Sequence, residues 1–417
     1  MTAAPEVDVV CLGESMVVLR PSRPGRLADA PSFTRSAGGA ESNVACALAA
    51  AGHRVRWISR VGADGFGDHL LAAVAAHGVD VSAVRRDPHR PTGVYFRTAA
   101  DRADPAYEVV YHRAGSAASA MSPHTVPYEE AAAGRVLHLS GVTAALSPGC
   151  RALVAALTAR RPGRSRPLVS FDLNHRPALW PDPATARRAL GGAARGADLV
   201  FAGADEAAEA LGPRSADALR AALPEPDVLV VKEGARGATL FARTPPTGPP
   251  PTRAVTAAPP GAPAPGAPSP GAPAPGAAPS GTAVPGAAPS GAAASGAAAG
   301  EAATRRATPA AALLRTPDVR ISVPAPRVDV VSYAGAGDAF AAGFLAATLR
   351  GLPLAARLRH GHLAAAAALT APGDLAPVPD GALVDRLAGL DGAAWGRLRL
   401  GPGWTEAGPD DEEVRTR

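Results

Sequence analysis

Short apolar runs alternate along most of the chain with amphipathic segments of helical period. The first apolar run, residues 7–12, predicts a buried strand that ends at Gly13. Residues 42–51 and 66–77 predict two helices, and residues 55–61 predict a strand between them. This strand–helix alternation is typical of a parallel sheet with helices on its faces.

The same alternation continues through the rest of the chain. Further strands are predicted at residues 136–139, 168–172, 199–202 and 228–232. Further helices are predicted at residues 148–161, 184–194, 206–211, 216–222, 339–349 and 354–369. The pattern therefore predicts an α/β fold with a mostly parallel central sheet.

Two segments do not follow the strand–helix alternation. In both, apolar and polar residues alternate one by one, as in a strand with one buried face. Residues 92–98 and 107–112 are separated by a polar turn at residues 100–105, which predicts a β-hairpin. Together with part of residues 19–35, this hairpin is expected to form a small β lid made of residues 14–36 and 92–114. A lid of this kind would exclude water from a reaction beneath it.

Residues 244–317 consist mostly of Ala, Pro, Gly and Ser. Such a segment has too few large apolar groups to offset its ordering entropy, so we expect a disordered insertion. The insertion splits a hairpin-like pair, residues 238–243 and 319–323, and the α/β pattern continues after it. This favours a single domain over residues 1–417, with a flexible charged tail at residues 405–417.

The charge of the chain is dominated by arginine. The 417 residues carry a net charge of +5, and Lys232 is the only lysine. The arginines are scattered and are not interleaved with aromatic residues, which argues against nucleic acid as a partner.

The three cysteines, Cys11, Cys46 and Cys150, lie far apart in the sequence. Their spacing favours reduced core thiols of a cytoplasmic protein over a disulfide framework or a zinc site. The N-terminus lacks the basic and apolar regions of a signal peptide, and no apolar run reaches membrane-spanning length, so no membrane association is expected.

The candidate chemistry lies at Gly335-Ala336-Gly337-Asp338, between a strand-like run at residues 328–331 and a helical run at residues 339–349. A glycine-rich turn at a helix N-terminus presents backbone N–H groups to an anion. An aspartate beside such a turn can take a proton from a hydroxyl group. The motif indicates phosphate transfer to an alcohol, and the alternative is a turn with a capping aspartate.

Three segments together carry a resemblance to a known family. They are Gly-Gly-Ala-Glu-Ser-Asn-Val-Ala at residues 38–45, Asp-Leu-Asn-His-Arg-Pro-Ala-Leu-Trp at residues 172–180, and Gly-Ala-Gly-Asp-Ala-Phe at residues 335–340. With these motifs the chain resembles the ribokinase-like (PfkB) sugar kinases, the insertion and tail excepted. The resemblance implies a three-layer αβα domain with a small β lid. It also implies a homodimer or larger oligomer, because the lid of relatives often pairs with a second subunit.

Within the family, the chain is most similar to the 2-keto-3-deoxygluconate kinases. Residues 13–16, 92–96 and 111–117 fit that branch. A sugar acid carries a carboxylate, and cations and phenol hydroxyls can fix it. The expected clamps are Arg113 and Arg176, and the expected hydrogen-bond donors are Tyr95 and Tyr111. The alternatives are a surface ion pair for the arginine of the 172–180 segment and hairpin packing for the tyrosines.

The resemblance also assigns roles within the other motifs. It implies that Gly38, Gly39 and Asn43 contact sugar hydroxyls, although the two glycines also suit a tight turn before a helix. Asp338 is the implied general base. The implied anion hole for the γ-phosphoryl group is formed by the N–H groups of Gly335, Ala336 and Gly337.

The implied ATP site uses Lys232, Gly234 and Gly237, with His362 beside the adenine. The alternative for the two glycines is a hairpin turn. Mg²⁺ is expected to bridge the phosphates, held mostly through water, with Glu206 acting on it indirectly.

Three positions depart from the family pattern. Gly203 replaces the Asn of the Asn-x-x-Glu motif, which weakens the case for magnesium, and His362 replaces an Asn that contacts the nucleotide. Ser332-Tyr333-Ala334 replaces Asp-Thr-Thr, which puts the monovalent-cation site of many relatives in doubt.

The resemblance implies an ATP-dependent kinase for the terminal hydroxyl of 2-keto-3-deoxygluconate. One alternative is a kinase for another small sugar, such as fructose or 5-dehydro-2-deoxygluconate. The three departures suggest another alternative, a catalytically weak regulator that binds sugar or nucleotide.

Overall fold

The computed structural model describes residues 7–98, 108–160, 166–243, 318–373, 375 and 377–406. The predicted insertion at residues 244–317, the hairpin turn at residues 100–105 and residues 407–417 of the predicted tail lie outside the described residues. All of the described residues belong to one compact unit.

Most of the described strands follow the predicted apolar runs, whereas the short strands at residues 85–87 and 399–400 were not predicted. In chain order the strands are β1 (Val7–Leu12), β2 (Met16–Pro21), β3 (Phe33–Gly38), β4 (Val55–Ile58), β5 (Arg60–Gly62), β6 (Arg85–Asp87), β7 (Val94–Arg97), β8 (Val109–His112), β9 (Gly134–Ser140), β10 (Leu168–Asp172), β11 (Leu199–Gly203), β12 (Val228–Lys232), β13 (Ala238–Ala242), β14 (Val319–Val323), β15 (Arg327–Val328) and β16 (Arg399–Leu400).

Half of the described α-helices begin after a serine or aspartate whose side chain caps them. In chain order the helices are α1 (Ala40–Ala50), α2 (Gly65–Ala75), α3 (Tyr128–Ala131), α4 (Gly141–Ala145), α5 (Pro148–Thr158), α6 (Pro183–Gly196), α7 (Ala204–Leu211), α8 (Ala216–Ala222), α9 (Ala336–Leu349), α10 (Leu354–Leu369), α11 (Gly381–Ala388) and α12 (Gly392–Arg397). Asp64, Ser147 and Asp182, for example, accept hydrogen bonds from first-turn N–H groups of α2, α5 and α6.

Eight strands form the central sheet, in the order β14-β13-β12-β11-β10-β9-β1-β4. The strands from β4 to β12 pair in parallel, and β13 and β14 are antiparallel to their neighbours. One hydrophobic core lies on each face, with Trp57 and Phe201 in one core and Phe171 and Leu139 in the other. The predicted α/β fold, a mostly parallel sheet between two helical layers, is confirmed, and so is the hairpin-like pair on either side of the insertion.

A second, four-stranded sheet has the order β3-β2-β7-β8. The strands β7 and β8 pair in antiparallel fashion, which confirms the predicted hairpin, and β2 joins it in parallel through β7. Phe33 packs edge-on against Phe96 at a ring distance of 5.3 Å. The segments predicted to form the lid therefore do form one small sheet.

Two predicted strands differ in the structure. The run at residues 55–61 splits at Ser59, because β5 leaves the central sheet and pairs in parallel with β6. The Arg60 guanidinium supports this pairing by an ion pair with Asp87 at 2.9 Å. The run at residues 328–331 is a strand only as far as Val328. Beyond it, the N–H group of Val331 donates to the Leu369 carbonyl oxygen at 2.7 Å, which ties the segment to the end of α10 instead of a sheet.

The C-terminal part of the described chain is more ordered than the sequence suggests. Sequence reasoning missed α11 and α12, which are short and each begin at a glycine. Trp404 is buried and its indole N–H donates to the Thr370 hydroxyl at 3.1 Å, so the predicted tail begins inside the 3₁₀ helix Trp404–Glu406.

All three cysteines are free and buried, as expected of core thiols. Within the described ranges, no helix combines the length and the apolar character needed to cross a bilayer.

Candidate active site

A cavity of about 420 Å³ lies at the carboxyl edge of the central sheet. It is lined by Glu14, Val142 and Asn174, which follow β1, β9 and β10 respectively, and by residues of the small sheet. Parallel sheets place ligands at this edge because loops of neighbouring strands meet there. The predicted site residues that line the cavity are Gly38, Gly39, Asn43, Tyr95, Tyr111, Arg113, Arg176, Gly335 and Asp338.

Helix α9 begins three residues earlier than predicted, so Asp338 belongs to its first turn. Gly335 caps the helix with a left-handed backbone (φ 72°), a conformation that favours glycine. The N–H of Ala339 donates to the Gly335 carbonyl at 2.8 Å, and the preceding N–H groups have no partner within the helix. The positive end of α9 therefore faces the same cavity as the Asp338 carboxylate.

The Asp338 carboxylate is half-buried and receives a hydrogen bond from the Asn43 side chain, with Nδ2 and Oδ2 2.8 Å apart. Burial raises the pKa of Asp338 to about 7, and the nearby Asp172 carboxylate adds to the rise. The hydrogen bond from Asn43 and the charges of Lys232 and Arg176 act in the opposite direction. A carboxyl group that titrates near neutral pH is suited to accept a proton from an alcohol.

Gly39 lies at the start of α1, where there is no space for a side chain. A Cβ atom there would lie 2.2 Å from the Glu14 carbonyl oxygen and 2.8 Å from the Ser15 Cα. Gly38 ends β3, and Asn43 lies one turn into α1, so this short segment brings both glycines and the asparagine to the cavity wall. The lack of space for a Cβ at Gly39 agrees with a tight turn before the helix, and the position of both glycines in the cavity wall agrees with a role in ligand binding.

Glu41 is a buried residue to which sequence reasoning gave no role. Its Oε1 accepts hydrogen bonds from the hydroxyls of Ser140 and Thr143, both at 2.7 Å, and from the Ser140 N–H at 3.1 Å. A Cβ atom on Gly13 would lie only 2.1 Å from this carboxyl group. Glu41 therefore fixes the start of α1 against the ends of β1 and β9.

Arg113 lines the cavity but is not a free cation. Its guanidinium forms an ion pair with the Glu14 carboxylate, which also accepts a hydrogen bond from the Ser116 hydroxyl at 2.5 Å. Glu14 is only 3% exposed. Sequence reasoning missed Glu14 as the partner, although Gly13-Glu14 was part of the branch motif.

The two tyrosines differ in exposure. Tyr95 is buried and Tyr111 is 51% exposed, and their ring centroids lie 5.4 Å apart. Both line the cavity, so hairpin packing and hydrogen bonding to a ligand are compatible.

Arg176 forms an ion pair with Glu206, with 3.1 Å between Nη1 and Oε1, and also donates to the His175 carbonyl. Its side chain is 41% exposed. The surface ion pair considered from the sequence is therefore present, although Arg176 also reaches the cavity.

Asn174 is a further cavity residue without a role in the sequence-based account. It is the one non-glycine residue with positive φ among the described residues, at 37°. Its Oδ1 is buried and has no hydrogen-bond partner within the described ranges. A buried acceptor without a partner, at a strained position in a cavity, is typical of a ligand-binding residue.

Lys232 ends β12 and forms an ion pair with Asp172, with 2.8 Å between Nζ and Oδ2. Its Nζ lies 3.4 Å from the position that a Cβ of Gly337 would take, which places it against the first turn of α9. Burial lowers the pKa of Lys232, but the carboxylates of Asp172 and Glu206 outweigh burial and the net shift is upward. Lys232 is therefore charged at neutral pH.

Gly234 and Gly237 form the turn between β12 and β13. Both have positive φ, 61° and 122°, and a Cβ on Gly237 would lie 2.2 Å from the Val323 carbonyl oxygen. The hairpin-turn alternative therefore describes their local structure, and the nucleotide role stays a prediction.

His362 is a core residue in this structure, contrary to the expected position beside the adenine. It is 6% exposed, its Nε2 lies 3.1 Å from the Val323 carbonyl oxygen, and its ring packs edge-on against Phe340. Burial lowers its pKa to about 4, although the contact with Val323 opposes this shift. The His362 side chain points from α10 towards the central sheet. The sequence alone does not show which face of the helix this residue occupies.

In the part of the chain that the structure describes, no group of three or more His, Cys, Asp and Glu residues could hold a metal ion directly. One Glu206 oxygen contacts Arg176, and Asp172 Oδ1 is buried without a hydrogen-bond partner. The indirect magnesium role expected of Glu206 stays a prediction. Two of the positions that depart from the expected motifs are also described. Gly203 caps α7 without a side-chain hydrogen bond, and Tyr333 is 55% exposed.

A family model described as pfkB family carbohydrate kinase matches residues 7–258 and 308–381. This match includes every residue that lines the cavity.

Individual relatives and solved structures agree with the family match. A 2-dehydro-3-deoxygluconokinase of Thermoproteus tenax is 35% identical over 238 residues, which cover 56% of this chain and 72% of the relative. A 2-dehydro-3-deoxygluconokinase of Bacillus subtilis (strain 168) is 36% identical over 204 residues, 48% of this chain and 61% of the relative. The crystal structure of a PfkB protein from Polaromonas sp. JS666 has a TM-score of 0.63 and 29% identity, and covers 88% of this chain and 97% of that chain.

Proposed function

Because the chain belongs to the pfkB family of carbohydrate kinases, we propose that it transfers the γ-phosphoryl group of ATP to the terminal hydroxyl of 2-keto-3-deoxygluconate. The observation that carries this proposal is the Asp338 carboxylate. It has a pKa of about 7, lies in the first turn of α9 and shares a cavity with Gly38 and Gly39. The choice of sugar is supported by the two similar 2-dehydro-3-deoxygluconokinases.

In the proposed reaction, Asp338 takes the proton from the sugar hydroxyl, and Asn43 holds the carboxylate in position by its hydrogen bond. The N–H groups of Gly335, Ala336 and Gly337 stabilise the negative charge of the phosphoryl group at the positive end of α9. Mg²⁺ bound to ATP would neutralise phosphate charge, with Glu206 and Asp172 reaching it through water.

The sugar is proposed to lie between α1 and the small sheet. Tyr95 and Tyr111 donate hydrogen bonds to it, and Arg113 and Arg176 attract its carboxylate. Each arginine already forms an ion pair, Arg113 with Glu14 and Arg176 with Glu206. The carboxylate of the sugar acid would therefore bind to arginines that keep an acidic partner. The small sheet forms one wall of this cavity and, as a lid over the bound sugar, would exclude water, which would otherwise accept the phosphoryl group.

A neutral sugar is the second candidate, because Glu14 balances the charge of Arg113 before any ligand arrives. A pocket with a neutralised cation loses part of its preference for an acid over a ketose such as fructose.

The test is ADP release by the purified protein with ATP, Mg²⁺ and a panel of 2-keto-3-deoxygluconate, 5-dehydro-2-deoxygluconate and fructose. We expect the highest kcat/KM with 2-keto-3-deoxygluconate. Arg113→Ala should raise KM for that acid about tenfold or more and change KM for fructose little, because a hydrogen bond to a charged group contributes about 1.5–3 kcal/mol.

KM for the acid and KM for fructose are measured on the same preparation of each variant. A loss of folded protein would affect both measurements equally and so cannot produce a difference between the two sugars. Arg85→Ala is a matched control, since Arg85 pairs with Glu130 away from the cavity. Equal KM changes for acid and neutral sugar with Arg113→Ala would refute the acid clamp. Sugar binding without ADP release over hours would refute the kinase proposal and favour a regulator.

A further inference from the structure

Asn43, which holds the Asp338 carboxylate, lies near the start of a helix that begins without a side-chain cap. The residue before α1 is Gly39, and its backbone nitrogen lies 3.4 Å from Asn43 Oδ1, which is long for a hydrogen bond. The contact with the proposed base is much closer, with 2.8 Å between Asn43 Nδ2 and Asp338 Oδ2. The geometry of that contact therefore depends on what fixes the first turn of α1.

Glu41, two residues before Asn43, anchors this turn to the central sheet. Its Oε1 accepts hydrogen bonds from the Ser140 N–H at 3.1 Å and from the hydroxyls of Ser140 and Thr143, both at 2.7 Å. Ser140 ends β9 and Thr143 belongs to α4, and Val142 between them lines the cavity. One carboxyl oxygen thus joins the helix that carries Asn43 to another wall of the cavity, although Glu41 itself does not line it.

An acidic side chain is a costly choice for packing alone at this position. Glu41 is 0% exposed, and its Oε2 is buried without a hydrogen-bond partner within the described ranges. The loss of hydration of such a group is unfavourable unless hydrogen bonds offset it. An apolar side chain of similar size would fill the same space, but it could not accept three hydrogen bonds in fixed directions. Glu41 therefore fixes the direction in which α1 starts, and with it the position of Asn43.

The surroundings of Glu41 supply no positive charge to compensate an ionised carboxylate. The titratable groups on which Glu41 acts are Cys11 in β1 and Cys150 in α5, and burial raises the pKa of both thiols, so both are neutral. Burial also raises the pKa of Glu41 to about 7, although the hydrogen bonds from Thr143 and Ser140 oppose this shift. A neutral side chain with an acceptor oxygen in the same place is therefore compatible with this site.

We propose that Glu41 is a positioning residue that holds Asn43 against Asp338 and so sets the pH range in which this base can accept a proton. The catalytic meaning of this inference rests on the proposed kinase function. The hydrogen bond from Asn43 lowers the pKa of Asp338, so displacement of Asn43 should leave that carboxyl group protonated at higher pH. The charged groups that also act on Asp338 are Asp172, Lys232 and Arg176, and the hydrogen bonds of Glu41 involve none of them.

The first experiment observes the Asn43 side chain directly and needs no catalysis. The chain has two asparagines, Asn43 and Asn174, and no glutamine, so a ¹H–¹⁵N NMR spectrum contains two pairs of side-chain amide signals. Asn174→Gly, a substitution suited to the positive φ at that position, assigns the two pairs. In the wild type the Asn43 pair should shift with pH around a midpoint of about 7, as Asp338 ionises. In Glu41→Ala the size of this shift should fall to less than about half, because the amide no longer donates to the carboxylate.

The second experiment measures kcat/KM for 2-keto-3-deoxygluconate as a function of pH. The midpoint of the rise should move from about 7 in the wild type to about 8 in Glu41→Ala and in Asn43→Ala. The double variant should have the same midpoint as either single variant, because both remove one hydrogen bond. Glu41→Gln keeps the acceptor oxygen and should retain the wild-type midpoint. Thr143→Val removes a single donor and should raise the midpoint by about 0.3 or more, so it decides the question if Glu41→Ala does not fold.

Asp198→Ala is the matched control. The Asp198 carboxylate also accepts a backbone N–H, that of Val169 at 2.8 Å, but it precedes β11 at the opposite edge of the sheet. The control should lower Tm and leave both the Asn43 signals and the midpoint unchanged, since loss of stability alone does not move them.

A folded Glu41→Ala variant with wild-type Asn43 signals or a wild-type midpoint would overturn the positioning role while the kinase proposal stands. An equal rise of the midpoint in Asp198→Ala would also overturn it, because general loosening would then explain the effect. A wild-type protein without ADP release for any sugar would overturn the kinase proposal, and the NMR experiment would still decide whether Glu41 positions Asn43.

Discussion

Replacing Asp338 by asparagine should inactivate the protein and also stabilise it at alkaline pH. The substituted amide has the same shape, and its oxygen can still accept the hydrogen bond from Asn43. The change therefore removes the ionisable group and leaves the packing and the hydrogen bond in place.

The size of the stabilisation follows from the shift in pKa. The folded-state pKa of Asp338 is about 7 against an ordinary value of 3.8, so folding disfavours the ionised carboxylate. Below pH about 4 the group is protonated in both states and costs nothing; the cost grows as pH rises and is complete above pH about 7. The difference between a pKa of 3.8 and one of about 7 corresponds to about 4 kcal/mol at most, and we expect about 2 kcal/mol because the carboxylate faces an open cavity.

The assay is urea denaturation of wild type and Asp338→Asn at pH 5 and pH 8, with kcat measured on the same preparations. The variant should gain about 1–3 kcal/mol more at pH 8 than at pH 5, and kcat should fall about 10²–10⁴-fold.

Asp64→Asn is the control, because the opposite change in the free energy of unfolding is expected for it. Burial raises the pKa of Asp64, but hydrogen bonds from Thr92 and Gly67 lower it overall, so this variant should lose stability at both pH values. An Asp338→Asn variant with the same stability change at pH 5 and pH 8, or with kcat within tenfold of the wild type, would refute the reasoning.

Three further predictions concern the same cavity. The wild-type kcat/KM should rise with pH through about 7, because only ionised Asp338 accepts a proton, and a flat profile from pH 5.5 to 8.5 would contradict this role. Gly39→Ala should cost about 1–3 kcal/mol in thermal unfolding, since its Cβ would lie 2.2 Å from a backbone oxygen, whereas Gly65→Ala, in open space, should cost less than about 1 kcal/mol. Glu14→Gln should lower KM for the acid about threefold to tenfold and leave fructose unchanged, because it releases the charge of Arg113, and a higher KM for the acid would show that the ion pair instead orients the arginine.

The features that sequence predicted well are local ones. The residues of β1, β10 and α10 were predicted at their exact bounds, because apolar period and flanking turns decide where such elements begin and end. The turn at Gly335 and the carboxylate of Asp338 also depend on neighbouring residues only, and the resemblance to the family agrees with the family match.

The features that sequence missed depend on contacts between distant residues. Arg113 and Glu14 are 99 positions apart, so the ion pair that neutralises the expected clamp has no local signal. The orientation of His362 depends on packing against Phe340 and the backbone of Val323, which a motif position does not reveal. The break at Ser59 likewise follows from the pairing of Arg60 with a residue 27 positions later.

The most direct test of the account is ³¹P NMR of a mixture of the protein, ATP, Mg²⁺ and 2-keto-3-deoxygluconate. The wild type should produce a phosphate monoester resonance coupled to two protons of the terminal CH₂ group, at the rate at which ATP is converted to ADP. The Asp338→Asn variant should produce none in the same period. A wild-type mixture without that monoester, or an Asp338→Asn mixture that forms it at the wild-type rate, would contradict a sugar kinase that uses Asp338 as its base.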